Sequence, residues 1–166
     1  KPNLYDHLGP KITIITVIKN KADYIEETIL SIKNQNYKNI EYIVIDGVST
    51  DGSIDIIKKY TDNIDYFVSE PDDGNYDAIN KGISLSTGDL IGIVNADDIL
   101  LGDATEILLE YYNKYSECDF FFGSVRKHWG VISGYKPYKI KYSWFFYTSP
   151  STGFFIKRNA AENNGK

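Results

Sequence analysis

From Lys11 to about residue 125 the chain alternates short apolar runs with stretches of helical periodicity. Ile12 to Ile18 is a β-branched run bounded by Pro10 and Asn20, the pattern of a strand buried on both faces. Ile25, Ile29 and Ile32 follow at helical spacing and mark one apolar face. The alternation continues. Ile40 to Ile45 reads as a second buried strand, and Ile54, Ile57 and Tyr60 as a second helix. Ile64 to Val68 is a third strand, and Tyr76, Ile79 and Ile83 set a third helix, closed by Gly88 after a short polar turn. Leu90 to Val94 gives a fourth strand, Ala104, Leu108, Tyr111 and Tyr115 stripe a fourth helix, and Phe120 to Val125 gives a fifth strand.

Strand–helix–strand units repeated in this way predict an α/β fold: a Rossmann-like, mostly parallel sheet with helices on both faces. Ligands of such sheets sit beyond the carboxyl ends of the strands, so the residues just after each strand are where chemistry is sought. After Val125 the pattern gives way to aromatic and basic residues without a helical period. The expected organisation is therefore an α/β half over 1–125 and a partial segment of the same domain over 126–166.

Composition narrows this picture. With 166 residues, 42% of them hydrophobic and 25% charged, the chain suits one ordinary domain. No apolar run is long enough to span a bilayer, and the first residues lack a basic-then-apolar signal segment. Cys118 is the single cysteine, so no internal disulfide can form, and a reducing, cytoplasmic setting is expected. No methionine is present, so Lys1 is not expected to be the natural start. The net charge of -5 gives no general reason to expect nucleic acid as partner. The charge is also uneven: 22 acids and 10 bases precede residue 120, net -12, whereas one acid and 8 bases follow, net +7.

Three polar segments stand where the strand-end rule looks. Asp46-Gly47-Val48-Ser49-Thr50-Asp51-Gly52-Ser53 follows strand two. It reads equally as a turn with a helix cap or as a backbone that approaches a ligand, and it is neither a Walker loop nor a dinucleotide fingerprint. Asn95-Ala96-Asp97-Asp98 follows strand four. Adjacent carboxylates beside an amide suit a hard divalent cation that shares substrate phosphates, while a cap needs only one acid. Between them, Ser69 to Gly82 is a polar loop entering a helix, with Asp77, Asn80 and Lys81 on one helical face. Asp77 and Lys81 also have the spacing of a simple surface ion pair.

Taken together and in this order, residues 11–53 and 69–98 resemble family-2 glycosyltransferases of the GT-A fold, and bacterial polysaccharide-building members most closely. The resemblance covers 11–125 well and 126–158 loosely. It implies a nucleotide-diphosphate sugar donor, a saccharide or glycolipid acceptor, and a divalent metal, Mn²⁺ or Mg²⁺, at a DxD-type motif. Asn95-Ala96-Asp97-Asp98 occupies that motif, with Asp98 as the metal ligand and Asp97 beside it, touching ribose or sugar. Thr16 and Val17 match the wall around the base. Asp46 matches the first of two acids after strand two, and Gly47 stands where the second, base-reading acid is usual. With Ser49, Asp77, Asn80 and Lys81 these residues make up the expected donor site.

The reaction so implied is an inverting transfer, with a later Asp or Glu as general base. After the stretch Thr152 to Arg158 the chain offers only Glu162, which comes too soon, so the base is expected beyond Lys166. Two other readings stay open. One is a non-catalytic sugar-nucleotide-binding fragment. The other is a sugar-phosphate nucleotidyltransferase, which would carry a glycine-rich basic loop after strand one; Thr16-Val17-Ile18-Lys19-Asn20 has no glycine. Finally, Arg126, Lys127, Lys136, Lys139 and Lys141 alternate with Trp129, Tyr135, Tyr138, Tyr142, Trp144, Phe145, Phe146 and Tyr147. This mixture suits an acceptor cleft, peripheral contact with an anionic inner membrane face, or the aromatic core and solvated lysines of a larger domain.

Overall fold

The computed structural model describes residues 9–127, 130–132 and 153–164. Four adjacent parallel strands make up most of its sheet: β1 (Ile12–Ile18), β2 (Ile40–Asp46), β3 (Tyr66–Ser69) and β4 (Leu90–Ile93). The helices between them are α1 (Ala22–Lys33), α2 (Ser53–Ile57), which tightens into a 3₁₀ turn over Lys58–Asn63, and α3 (Asn75–Leu85). After β4 come α4 (Ala104–Lys114), β5 (Phe120–Phe122), a small hairpin of β6 (Val125–Lys127) and β7 (Gly130–Ile132), then β8 (Phe154–Lys157) and α5 (Arg158–Asn164).

The six-stranded sheet runs in the order β3-β2-β1-β4-β8-β5. In register, Ile12 pairs with Ile40 on one side and Leu90 on the other. Helices cover both faces. On one, Ile12, Ile14 and Ile18 pack with Ile25, Ile29 and Ile32 of α1, Ile57 of α2 and Leu108 and Leu109 of α4. On the other, Ile15 and Val17 pack with Ala78 and Ile79 of α3. All seven residues of β1 are consequently buried, which is why the strand reads as a β-branched, mostly apolar run rather than an alternating one. Truncating one of these isoleucines to alanine removes about 2–5 kcal/mol, a large share of a typical domain's stability.

Several expectations are corrected. β8 was not anticipated; it enters between β4 and β5, antiparallel to both, and Phe155 joins the core. Its three-residue ladders are too short to carry a periodic signal. The fifth strand stops at Phe122, and Val125 belongs to the separate hairpin. The buried face of α4 is Thr105, Leu108 and Leu109, not the Tyr111–Tyr115 stripe. Those two rings stack on each other outside, 5.9 Å apart, because a tyrosine tolerates half-exposure. On α3, Tyr76 points to solvent while Ala78, Ile79 and Gly82 face the sheet.

Candidate functional site

The chain reverses its direction of travel across the sheet between β1 and β4, since β2 and β3 lie on one side of β1 and β4 on the other. Such a switch point leaves a crevice beyond the carboxyl ends of the two strands. A cleft of about 370 Å³ lies there. Its walls are Val17, Ile18, Lys19 and Lys21 after β1, Asn95, Ala96 and Asp97 after β4, and Asp72, Gly74, Asn75 and Ala78 at the start of α3. The first-turn amides of α3 give this end of the cleft a partial positive charge that favours anions.

The acidic end is positioned by α1. Thr28, fully buried on that helix, has its hydroxyl 2.9 Å from both the Ala96 and the Asp98 carbonyl oxygens. Ser31 accepts the Leu100 amide, and Gln35 donates to the Leu100 and Leu101 carbonyls. The loop after β4 is thereby fastened to a helix that is itself in the core. Within it the two acids differ. The Asp98 carboxylate accepts from the Asn95 side-chain amide at 2.9 Å. Asp97 turns into the cleft, where its carboxylate takes the Lys21 ammonium at 2.7 Å. That hydrogen bond and the charge of Asp97 hold the Lys21 ammonium above its ordinary pKa.

The strand-two segment braces the site and caps α1 from a distance. Asp46 is fully buried; its carboxylate accepts the Ser49 amide at 3.1 Å and the Ser69 hydroxyl at 2.6 Å. Ser49 in turn accepts the Asn20 amide, and Asn20 accepts the Thr50 amide. Ser53 accepts the Lys21 amide, and Asp51 accepts the Ala22 amide, one of the orphan donors at the start of α1. Bonds to Ser53 and Ala22 hold the Asp51 carboxyl below its usual range. The turn is tight enough to place Val48 in the left-handed region, with φ at 60°.

Of the residues expected at a donor site, Val17 and Asp97 line the cleft. Thr16 does not: its hydroxyl is buried against that of Tyr42, 3.1 Å away. Asp46 and Ser49 do not line the cleft and make the bonds just described. Gly47 lies behind Asp72, whose carboxylate fills the space a side chain at 47 would need. Asp77 and Lys81 form the ion pair of their spacing and also hold the preceding loop. Lys81 donates to the Pro71 carbonyl and pairs with Glu70, and Asp77 accepts the Asp73 amide. Asn80 is exposed on the same helix, and none of the three lines the cleft. Lys19, Lys21, Asp72 and Asn75 were missed. The strand-end rule applied to β1 would have found the two lysines. The side chains of Arg126, Lys127 and Glu162, and the aromatic and basic residues from Trp129 to Tyr147 named above, lie outside the described residues.

Among the described residues no cluster of three or more His, Cys, Asp or Glu could hold a metal alone. A Mg²⁺- or Mn²⁺-type ion characteristically takes one or two carboxylates and completes its shell with water and substrate phosphates. Asp97, exposed to the cleft, fits that arrangement once its carboxylate parts from Lys21; Asp98, the ligand expected from the sequence, accepts from Asn95 and is not among the residues that line the cleft. No described helix is long and apolar enough to cross a membrane.

The chain is similar to known proteins in both sequence and fold. Residues 13–164 match the model of a family described as Glycosyl transferase family 2. A putative teichuronic acid biosynthesis glycosyltransferase of Bacillus subtilis, TuaG, is 33% identical over 116 residues, covering 68% of this chain and 46% of that protein. Among solved structures, Staphylococcus aureus TarS 1-349 in complex with UDP-GlcNAc superposes with a TM-score of 0.76 at 18% identity, covering 93% of this chain and 47% of the other. The mannosyltransferase PcManGT of Pyrobaculum calidifontis, in complex with GDP-Man and Mn²⁺, gives 0.69 at 22% identity, covering 96% and 48%. These likenesses identify the fold as GT-A. The chain spans roughly a third to a half of the length of its leading curated relatives.

Proposed function

The chain belongs to glycosyl transferase family 2, and on that premise we propose that it moves a sugar from a nucleotide-diphosphate donor to an acceptor hydroxyl, with inversion, in building a cell-surface polysaccharide. The observation that carries this reading is the cleft between β1 and β4, where an exposed carboxylate, two lysines and a helix N-terminus converge on one space. That combination suits a ligand with an apolar ring at one end and a metal-bridged diphosphate at the other. The TuaG name and the UDP-GlcNAc and GDP-Man bound by the structural relatives support the donor class.

In the proposed arrangement Val17 and Ala78 form the apolar floor under the base, and Asp72 accepts from base or ribose. Lys19 and the amides at the start of α3 attract the phosphates. Asp97, with Asp98, would hold the divalent metal, which as a Lewis acid would neutralise the leaving diphosphate. The acceptor oxygen bonds to the anomeric carbon from the face opposite the breaking carbon–oxygen bond, and the diphosphate departs with that electron pair. The hydroxyl proton passes to a carboxylate outside the described residues.

Calorimetric titration of UDP, GDP and TDP with Mn²⁺ or Mg²⁺, then with chelator, tests the reading. Binding of one nucleotide is expected to weaken at least about tenfold on chelation or in Asp97→Ala. Binding indifferent to both changes would refute the assigned metal role. Donor binding without turnover in the intact protein, with a range of acceptors, would favour the non-catalytic module instead.

A further inference from the structure

We propose that Lys21 is the resident counter-ion of Asp97, holding the position a divalent cation takes, so that metal and donor enter the cleft together rather than metal alone. The inference deepens the donor-site reading above and rests on it. Lys21 sits at the junction of β1 and α1 with its backbone fixed. Its amide donates to Ser53 at 3.1 Å, and its carbonyl accepts the Tyr24 and Ile25 amides. Only the side chain is left to move. The ammonium reaches across the cleft mouth to Asp97, and the two side chains are 41% and 43% exposed. A pair this open to water is worth little and exchanges readily.

Two consequences follow. A cation approaching Asp97 meets a positive charge already bonded to the ligand oxygen, and the protein alone therefore binds metal weakly. A donor diphosphate changes the balance, because Lys21 lines the same cleft and can turn from carboxylate to phosphate. Asp97 is then released to the metal. Linkage requires the effect to be mutual: metal strengthens donor binding by the factor by which donor strengthens metal binding.

The test is Mn²⁺ binding to the full chain, followed by the free-ion electron paramagnetic resonance signal, alone and with UDP or GDP. Lys21→Met is expected to bind Mn²⁺ alone about three- to tenfold more tightly than wild type, by loss of a competing charge. Its gain in Mn²⁺ affinity on adding nucleotide should shrink correspondingly, while Lys21→Arg stays near wild type. A general loss of structure would lower metal affinity rather than raise it, and unchanged thermal midpoints would verify the fold. Unchanged or weaker Mn²⁺ binding in Lys21→Met overturns the proposal, as does an undiminished nucleotide effect. Failure of the underlying reading has a separate signature: Asp97→Asn would then bind Mn²⁺ as wild type does, with and without nucleotide.

Discussion

Glu41, at the amino-terminal end of β2 and remote from the cleft, allows a quantitative test of how the sheet is anchored. Its carboxylate is almost fully buried and accepts four hydrogen bonds. Lys11 Nζ at 2.8 Å and the Thr87 hydroxyl at 2.6 Å go to one oxygen; the Thr13 hydroxyl at 2.6 Å and the Thr87 amide at 2.7 Å go to the other. Burial opposes ionisation, but the bonds from Lys11, Thr13 and Thr87 outweigh it and hold the carboxyl at about 2, against an ordinary 4.5. At 1.36 kcal/mol per unit, this difference amounts to about 3 kcal/mol of stability. Because the folded value is depressed, the contribution is complete above the unfolded value of 4.5 and is lost as pH falls through the folded value near 2. By the same relation about 1 kcal/mol remains at pH 3.

Glu41→Gln keeps the shape and removes the charge, turning one acceptor oxygen into a donor that faces other donors. At pH 7 it is expected to destabilise the protein by about 3 kcal/mol, a shift of about 1–3 M in a urea midpoint. The informative measurement is the difference between wild type and variant at a series of pH values, since the other carboxylates titrate in both proteins and cancel. That difference should narrow steadily between pH 4.5 and pH 2. A difference that is absent at pH 7, or that stays constant on acidification, would refute the reasoning and show that the network is no more than local solvation.

Two further perturbations test how the site is held. Thr28→Val removes the buried hydroxyl that pins the Asp97 loop while keeping its volume; stability should fall by about 1–2 kcal/mol in urea titration. Mn²⁺ affinity should fall with it, and unaltered metal binding would show that α1 does not position the loop. Val48→Gly relieves a β-branched residue at φ 60°. The left-handed backbone costs valine about 1–2 kcal/mol, and glycine's extra chain entropy returns part of that, so the urea midpoint should rise by about 0.5–1 kcal/mol equivalent. A lower midpoint would mean that the valine side chain makes compensating contacts.

Burial on both faces made the centre of the fold legible in the sequence. β1, β2 and β4 read as largely apolar runs, interrupted by Thr13, Thr16 and Glu41, and α1 announced its face through Ile25, Ile29 and Ile32, because a parallel sheet between two helical layers leaves little room for polar residues. The strand-end rule pointed to the edge of the sheet where the cleft opens, and Asp97 and Val17 line it. β8 escaped because its pairing with β4 and β5 is antiparallel and distant in sequence, and four residues carry too little pattern to reveal it.

Which polar side chains face the cleft could not be read from their types. Asp46 and Asp97 each follow a buried strand, yet one folds back onto Ser49 and Ser69 and the other opens toward Lys21. The distinction depends on donors 23 and 76 residues away, Ser69 for Asp46 and Lys21 for Asp97, and only packing brings them there. Glu41 is the same lesson at the opposite edge: an acid inside an apolar strand has meaning only once Lys11, Thr13 and Thr87 are seen around it. Periodicity determined the layers and the edge of the sheet at which the cleft opens. Tertiary structure alone decided which charges meet there, because a carboxylate takes its role from the donors that reach it and not from its place in the chain.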